Sequence, residues 1–262
     1  MSVGYIKQVT MKQYGLIGFP LSHSFSKKYY LEKFERENIT GVEYELYPIE
    51  QIEQLPELIN SQPNLSGINV TIPHKISVMQ YVDYLSDEAR AIDAVNCIKI
   101  DRKSDKKPVL TGYNTDVYGF EQSLKPLLLP HHTHALVLGN GGAAKAVFYA
   151  LSQLGITYTT VSRSPTANQL GYRDLSPSVM DIHTLIINTT PLGTYPEVST
   201  CPDIPYEKIS DRHLFYDLVY NPEITEFLRR GQAHGATTKN GLDMLILQAE
   251  RNWEIWTGLT GE

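Results

Sequence analysis

The sequence predicts an α/β protein in two domains, and three observations carry that expectation. Short apolar runs alternate with stretches of helical periodicity along the chain, as they do in folds assembled from β-α repeats. One such repeat, His134 to Gly155 (HALVLGNGGAAKAVFYALSQLG), reads as strand, glycine turn and helix without a break. The chain has 262 residues, a length that suits about two ordinary domains, and the long segment before His134 has strand and helix patterns of its own.

Taken in order, residues 1–10 show no pattern and read as an extension. Tyr14 to Gly18 reads as a strand, Ser26 to Asn38 as a helix, Val42 to Tyr47 as a strand and Ile49 to Asn60 as a helix despite Pro56. Gly67 to Ile72 and Ala94 to Ile100 read as strands around a helical Ile76 to Leu85. A Lys- and Asp-bearing loop at 101–107 and a short strand to Tyr113 lead to a helix from Val117 to Leu129, disturbed at its end by Pro126 and Pro130.

The repeat at His134 is a dinucleotide-binding pattern. Ala135 to Leu138 supply a buried strand, and Ala143, Val147, Ala150, Leu151 and Leu154 form a helical stripe that stops at Gly155. Between them, Gly139-Asn140-Gly141-Gly142-Ala143-Ala144 fits the glycine fingerprint of a Rossmann-like fold. Its first glycine permits the tight turn, its second lets backbone N–H groups approach a pyrophosphate, and its last small residue allows close helix packing. The next strand, Ile156 to Val161, runs into Ser162-Arg163-Ser164, where an NAD-binding protein carries an acid. A guanidinium flanked by hydroxyls suits a 2′-phosphate instead, which favours NADP(H). Thr184 to Asn188 and Leu214 to Leu218 read as further parallel strands, and Gly241 to Trp256 as a last helix with an apolar face.

Composition narrows the function classes. A net charge of −6 without basic clusters argues against nucleic acid, and the absence of a long apolar run or a signal-peptide core argues against a membrane and for the cytoplasm. Two cysteines, Cys97 and Cys201, give neither a disulfide framework nor a zinc site, and His131, His132 and His134 stand in a loop before a strand, a poor setting for a metal.

Chemistry concentrates in four places. Gly18-Phe19-Pro20-Leu21-Ser22-His23-Ser24-Phe25-Ser26 joins a strand to a helix start crowded with hydroxyls, a seat for a carboxylate, although Ser24 or Ser26 could equally be an N-cap. Asn69-Val70-Thr71-Ile72-Pro73-His74-Lys75 puts a lysine at a helix start, where the helix dipole disfavours a cation by about 0.3–1 kcal/mol, a position suited to a lysine that exchanges protons. Asn96 interrupts an apolar run and needs hydrogen-bond partners there. Asp116 is either the N-cap of the helix at Val117 or a partner for Lys75.

With these residues in view, the chain resembles the shikimate dehydrogenase family. SHS-x-S, NVTIPHK, VN at 95–96, NTD at 114–116, GNGGAAKA, INTTPLG at 187–193, YDLVYNP at 216–222 and GLDMLILQA at 241–249 follow the family's order from about residue 14 to the end. The resemblance implies an N-terminal α/β substrate domain of residues 11–116 plus 241–262, completed by the returning C-terminal helix, and a Rossmann-like NADP-binding domain of residues 117–240. It implies NADPH-dependent reduction of 3-dehydroshikimate to shikimate, a small-molecule substrate on the route to aromatic amino acids, in a monomer or homodimer with no metal. Lys75 and Asp116 would be the catalytic pair, with Ser24, Ser26, Thr71, Asn96, Tyr220 and Gln248 around the substrate. Gly139, Asn140, Gly141, Gly142, Ala143, Ser162, Arg163, Ser164, Thr189 and Gly241 would meet the cofactor.

The chain departs from the family in several places. Lys27, Tyr30 and Leu31 replace the usual Pro and His-Asn after the second serine, Asn140 and Ser162 replace Ala and Asn, Ala167 stands where a second arginine is common, and Thr194 replaces Met. The alternatives are a quinate/shikimate dehydrogenase of broader specificity and an idle NADP-binding regulator. The Lys75 and Asp116 pair argues against the second.

Overall fold

The computed structural model describes residues 11–22, 24–103 and 107–259. The extension at 1–10, His23 and residues 104–106 of the charged loop lie outside the described residues. The chain divides into two compact units, one running through Thr115 and resuming at Asn252, the other Asp116–Arg251.

The first unit contains β1 (Lys12–Gly18), α1 (Phe25–Arg36), β2 (Val42–Pro48), α2 (Leu55–Ser61), β3 (Leu65–Val70), β4 (Tyr84–Leu85), α3 (Asp87–Ile92), β5 (Cys97–Asp101) and β6 (Val109–Tyr113). They build a six-stranded sheet in the order β2-β1-β3-β5-β6-β4. β1 runs parallel to β2 and β3, while β5 runs antiparallel to β3 and β6. One core gathers Ile17, Leu55, Ile68, Val70, Val78 and Ile98. Another packing group is aromatic: Tyr30 stacks on Tyr44 at 4.4 Å and Tyr14 on Trp256 at 5.0 Å. Gly67 makes room for this, because a Cβ there would lie 2.4 Å from the Trp256 indole. Trp256 Nε1 donates to the Ile98 carbonyl at 3.0 Å, so the end of the last helix closes the sheet it returns to.

Two expectations for this unit change, and one helix is added. The helix expected from Ile49 is a 3-10 turn at Ile52–Gln54 followed by α2, with Pro56 tolerated in the first turn, where its missing N–H has no helical partner anyway. The helix expected over Ile76 to Leu85 is a 3-10 turn, Ser77–Tyr81, and then β4. Asp83 causes the break: its N–H donates to the Leu110 carbonyl and its carboxylate accepts from the Leu110 N–H, each at 2.8 Å, which draws this stretch onto β6. Helix α3 gave no apolar stripe to read. It is set by Ser86, whose hydroxyl accepts from the Ala89 N–H, and by Asp87 and Glu88 in its first turn.

The second unit contains α4 (Asp116–Leu124), β7 (His134–Leu138), α5 (Gly142–Gln153), β8 (Thr157–Ser162), β9 (Leu170–Gly171), α6 (Pro177–Ile182), β10 (Leu185–Asn188), β11 (Leu214–Asp217), α7 (Glu226–Ala233), β12 (Thr237–Lys239) and α8 (Leu242–Thr257), whose last residues belong to the first unit. Its sheet is parallel throughout, in the order β12-β11-β10-β7-β8-β9. Strand order reverses between β7 and β10, the switch point at which such sheets bind ligands. The strands are buried apolar runs, with Leu136, Val137, Ile186, Ile187 and Phe215 fully enclosed. Gly155, at φ +70°, ends α5 in the left-handed conformation that glycine adopts freely. The helix expected to Leu129 stops at Leu124 and tightens into a 3-10 turn around Pro126. Among the described residues no helix is long and apolar enough to cross a membrane.

Candidate active site

In the first unit the predicted residues lie in the segments that follow β1 and β3 and around β5. Ser24 occupies the N-cap position of α1 yet makes no capping bond, and its Oγ is buried without a protein partner. The N-cap reading therefore does not explain this serine. Ser26, two residues further, is half-buried. Thr71 follows β3, its N–H donating to the Ile17 carbonyl and its own carbonyl accepting from the His74 N–H, both at 2.9 Å. His74 is buried, with Nε2 2.8 Å from the Ile49 carbonyl.

Lys75 corrects the sequence reading. It lies in a turn ahead of the 3-10 segment, so no α-helix begins there and the helix-dipole argument for it fails. What fixes Lys75 is its carbonyl, which accepts from the Val95 N–H at 2.8 Å. The neighbouring Asn96 is pinned through its backbone: its carbonyl accepts from the Val70 N–H at 2.8 Å and its N–H donates to the Tyr113 carbonyl at 3.0 Å. Its side-chain oxygen accepts from the Thr115 N–H at 2.8 Å and the Thr115 hydroxyl at 3.1 Å. Thr71, Lys75 and Asn96 are thus tied to neighbouring backbone, and Thr115 is tied to Asn96. Asn114 donates to the Ala94 carbonyl at 3.0 Å, while its Oδ1 is buried without a partner. Asp116 opens α4 as its first helical residue rather than as its N-cap.

Tyr220 and Gln248 belong to the second unit, as does Asp116. Tyr220 is partly exposed, and burial pushes its phenol up from the ordinary value. Gln248 is buried, with Nε2 donating to the Leu245 carbonyl at 2.9 Å.

The glycine turn of the second unit separates structural glycines from vacant ones. Gly139 sits at φ +106° and a Cβ on it would meet Thr189 Oγ1 at 2.8 Å, so the turn itself requires glycine. A Cβ on Gly141 or Gly142 would meet nothing within 4 Å, so the fold gives no reason for glycine at either. Asn140 and Ala143 are exposed beside them, and Ala144 is buried against the sheet. No side chain caps α5 and no acid lies in its first turn, which leaves bare, positively polarised N–H groups under open space. That donor set fits a dinucleotide's phosphates. Thr189 flanks the turn, its N–H and hydroxyl both donating to the Leu138 carbonyl at 2.9 Å. At the end of β8, Ser162 Oγ accepts from the Ser164 N–H at 3.3 Å and Arg163 is exposed. Gly241 has a packing reason of its own, since a Cβ there would come within 2.1 Å of the Leu218 carbonyl.

The sequence reading gave Asp217 no role. It is fully buried and accepts from Asn188 Nδ2 at 2.9 Å, the Val219 N–H at 3.0 Å and the Thr225 hydroxyl at 2.6 Å. Burial pushes its carboxyl up to about 6 against the pull of those three donors. It holds together the carboxyl ends of β10 and β11, and an acid inside the apolar run LFYDLV was the available signal.

The profile of the shikimate dehydrogenase substrate binding domain matches residues 16–98. The shikimate dehydrogenase (NADP(+)) of Clostridium beijerinckii is 41% identical over 94% of this chain and 92% of its own. That of Desulforamulus reducens is 38% identical over 94% and 90%. The crystal structure of shikimate 5-dehydrogenase from Thermus thermophilus, in complex with NADP(H) and shikimate, superposes with a TM-score of 0.80 at 30% identity, covering 96% of this chain and 95% of that one. A parallel sheet with its glycine turn at the switch point, a mixed sheet closed by the last helix and near-full-length similarity to these enzymes lead to one assignment: the chain belongs to the shikimate dehydrogenase family.

Proposed function

We propose that this protein catalyses the reversible NADPH-dependent reduction of 3-dehydroshikimate to shikimate. The observation that carries the reading is the Ser24 hydroxyl, buried at the start of α1 with no partner in the protein. A buried hydroxyl without a partner is costly and calls for a bound acceptor or donor. A substrate carboxylate between Ser24 and Ser26 supplies one. Thr71, Asn96, Tyr220 and Gln248 surround the ring hydroxyls and carboxylate in this reading.

Bound NADPH supplies the hydride. Arg163, Ser162 and Ser164 would hold the 2′-phosphate, and Gly139, Asn140, Gly141, Gly142 and Ala143, with Thr189, would hold the pyrophosphate. Gly241 contributes through the backbone position that its close packing fixes.

As hydride reaches the carbonyl carbon, the carbonyl oxygen becomes an alkoxide. The Lys75 ammonium polarises that oxygen and then donates the proton that completes the alcohol, while the Asp116 carboxylate keeps the lysine cationic and takes part in its reprotonation. In the reverse direction Lys75 accepts the hydroxyl proton.

The test is spectrophotometric. NADP reduction is followed with shikimate and with quinate, and repeated with NAD. Turnover of shikimate with NADP at the highest kcat/KM supports the reading, whereas faster turnover of quinate, or none of either, overturns it.

A further inference from the structure

A single hydrogen-bonded chain of side chains crosses the first unit. Asn69 Nδ2 donates to the Tyr44 hydroxyl at 2.9 Å. Asn252 Nδ2 donates to Asn69 Oδ1 at 2.9 Å, and Thr115 Oγ1 donates to Asn252 Oδ1 at 2.6 Å. Thr115 completes the run through its N–H on Asn96 Oδ1, with its hydroxyl oxygen 3.1 Å from the same atom. Tyr44, Asn69, Asn252, Thr115 and Asn96 are all buried.

Asn252 is the hinge of this relay. An amide donates on one side and accepts on the other, so it can join an Asn69 acceptor to a Thr115 donor where an apolar side chain joins neither. It also decides where the Thr115 proton goes. That hydroxyl has one proton and two acceptors, and the shorter contact, to Asn252, takes it. Without Asn252 the hydroxyl turns to Asn96 and pulls that amide toward Thr115. With Asn96 Oδ1 held as it is, the amide's orientation is fixed, oxygen toward Thr115 and N–H groups on the other side.

We propose that Asn252 is a positioning residue for substrate binding, which sets the Asn96 amide through Thr115 without touching substrate itself. This rests on the assignment of Asn96 to the substrate.

The test is steady-state kinetics of the full-length enzyme in both backgrounds at Asn96. Asn252→Ala is expected to raise the KM for shikimate by about three- to tenfold, the size of one net hydrogen bond, and to leave kcat and the KM for NADP within about twofold. In an Asn96→Ala background the same change should move the shikimate KM by less than about twofold, because its route of action is gone. Thr115→Val should repeat the effect of Asn252→Ala and Thr115→Ser should restore the parent KM, which keeps the idea testable even where Asn252→Ala does not fold. A lowered melting temperature with an unchanged shikimate KM in Asn252→Ala and Thr115→Val, or single effects that simply multiply in the double variant, overturns the relay. An Asn96→Ala enzyme with an unchanged shikimate KM overturns the substrate assignment itself, and the relay with it.

Discussion

Thr115 donates its backbone N–H to the side-chain oxygen of Asn96 at 2.8 Å, and the peptide bond that follows leads directly into Asp116. The residue before Asn96 holds Lys75, through the bond from the Val95 N–H to the lysine carbonyl. Lys75 and Thr115 are therefore anchored to adjacent points of one segment, Val95-Asn96.

Lys75→Met keeps the length of the side chain and removes the proton donor, so kcat should fall by about 10²–10⁴ while the KM for shikimate changes less. Asp116→Asn should lower kcat too, and the double variant should be little worse than Lys75→Met, since both serve one step. Steady-state rates and thermal melts on the three variants decide: a fully active but destabilised Asp116→Asn removes Asp116 from the chemistry, and near-normal turnover by Lys75→Met removes the mechanism.

Ser24 should separate stability from binding. Loss of a hydrogen bond to the substrate carboxylate costs about 1.5–3 kcal/mol, so Ser24→Ala should raise the KM for shikimate roughly ten- to a hundredfold. Because Ser24 Oγ has no partner in the protein, the same change should not lower the melting temperature of the free enzyme. Ser26→Ala should raise the KM for shikimate as well. A shikimate KM unchanged in both variants would move the carboxylate elsewhere.

The three kinds of glycine make a graded test. Gly141→Ala meets no atom of the protein, so its melting temperature should match the parent's while the KM for NADP rises. Gly241→Ala drives a methyl into the Leu218 carbonyl and should unfold or severely destabilise the second unit. Arg163→Ala should raise the KM for NADP far more than that for NAD. Equal increases for the two cofactors would refute the role given to the 2′-phosphate.

Acid should weaken the fold through His132 and His183. His132 Nδ1 accepts from the Leu129 N–H at 3.0 Å, so the ring is held neutral, and burial lowers its pKa below the ordinary value, as it does for His183. Folded-state values below the unfolded ones mean that the unfolded chain binds protons first, so stability should drop as pH falls below about 6.5. Melting curves between neutral and mildly acidic pH should show the loss, and His132→Asn should flatten it; a pH-independent melting temperature in the parent would contradict the assignment.

Much of the second unit was legible because a parallel sheet advertises itself: β7, β10 and β11 are unbroken apolar runs, and Gly139 and Gly155 mark the ends of their elements by conformations that only glycine takes easily. The first unit was harder where contacts far along the chain overrule local pattern. Ile76 to Leu85 has a helical spacing of apolar residues, yet Asp83 pairs with Leu110 and draws its end into β4. α6 is a short helix defined by its cap, Ser176, more than by a stripe. For the site, residue type and spacing pointed to Ser24 and Asn96, but the reason given for Lys75 was wrong, because the turn that carries it is not an α-helix. Asn252 was passed over although it stands beside Trp253 on the helix face that carries Ala249 and Trp256, where a lone amide among apolar neighbours is the trace of a buried polar link.

The place where Trp256 meets Gly67 sets a timetable for synthesis. As the ribosome releases the chain, the strands of the first sheet emerge early, yet the indole that lies against Gly67 and bonds Ile98 comes only after the whole of the second unit has been made. Tyr14, Tyr30 and Tyr44 therefore wait with their aromatic faces uncovered while the parallel sheet, which has every one of its strands in hand sooner, can finish. The unit begun first is completed last, and a nascent chain stalled before Trp253 presents a sticky aromatic groove of the kind that chaperones bind.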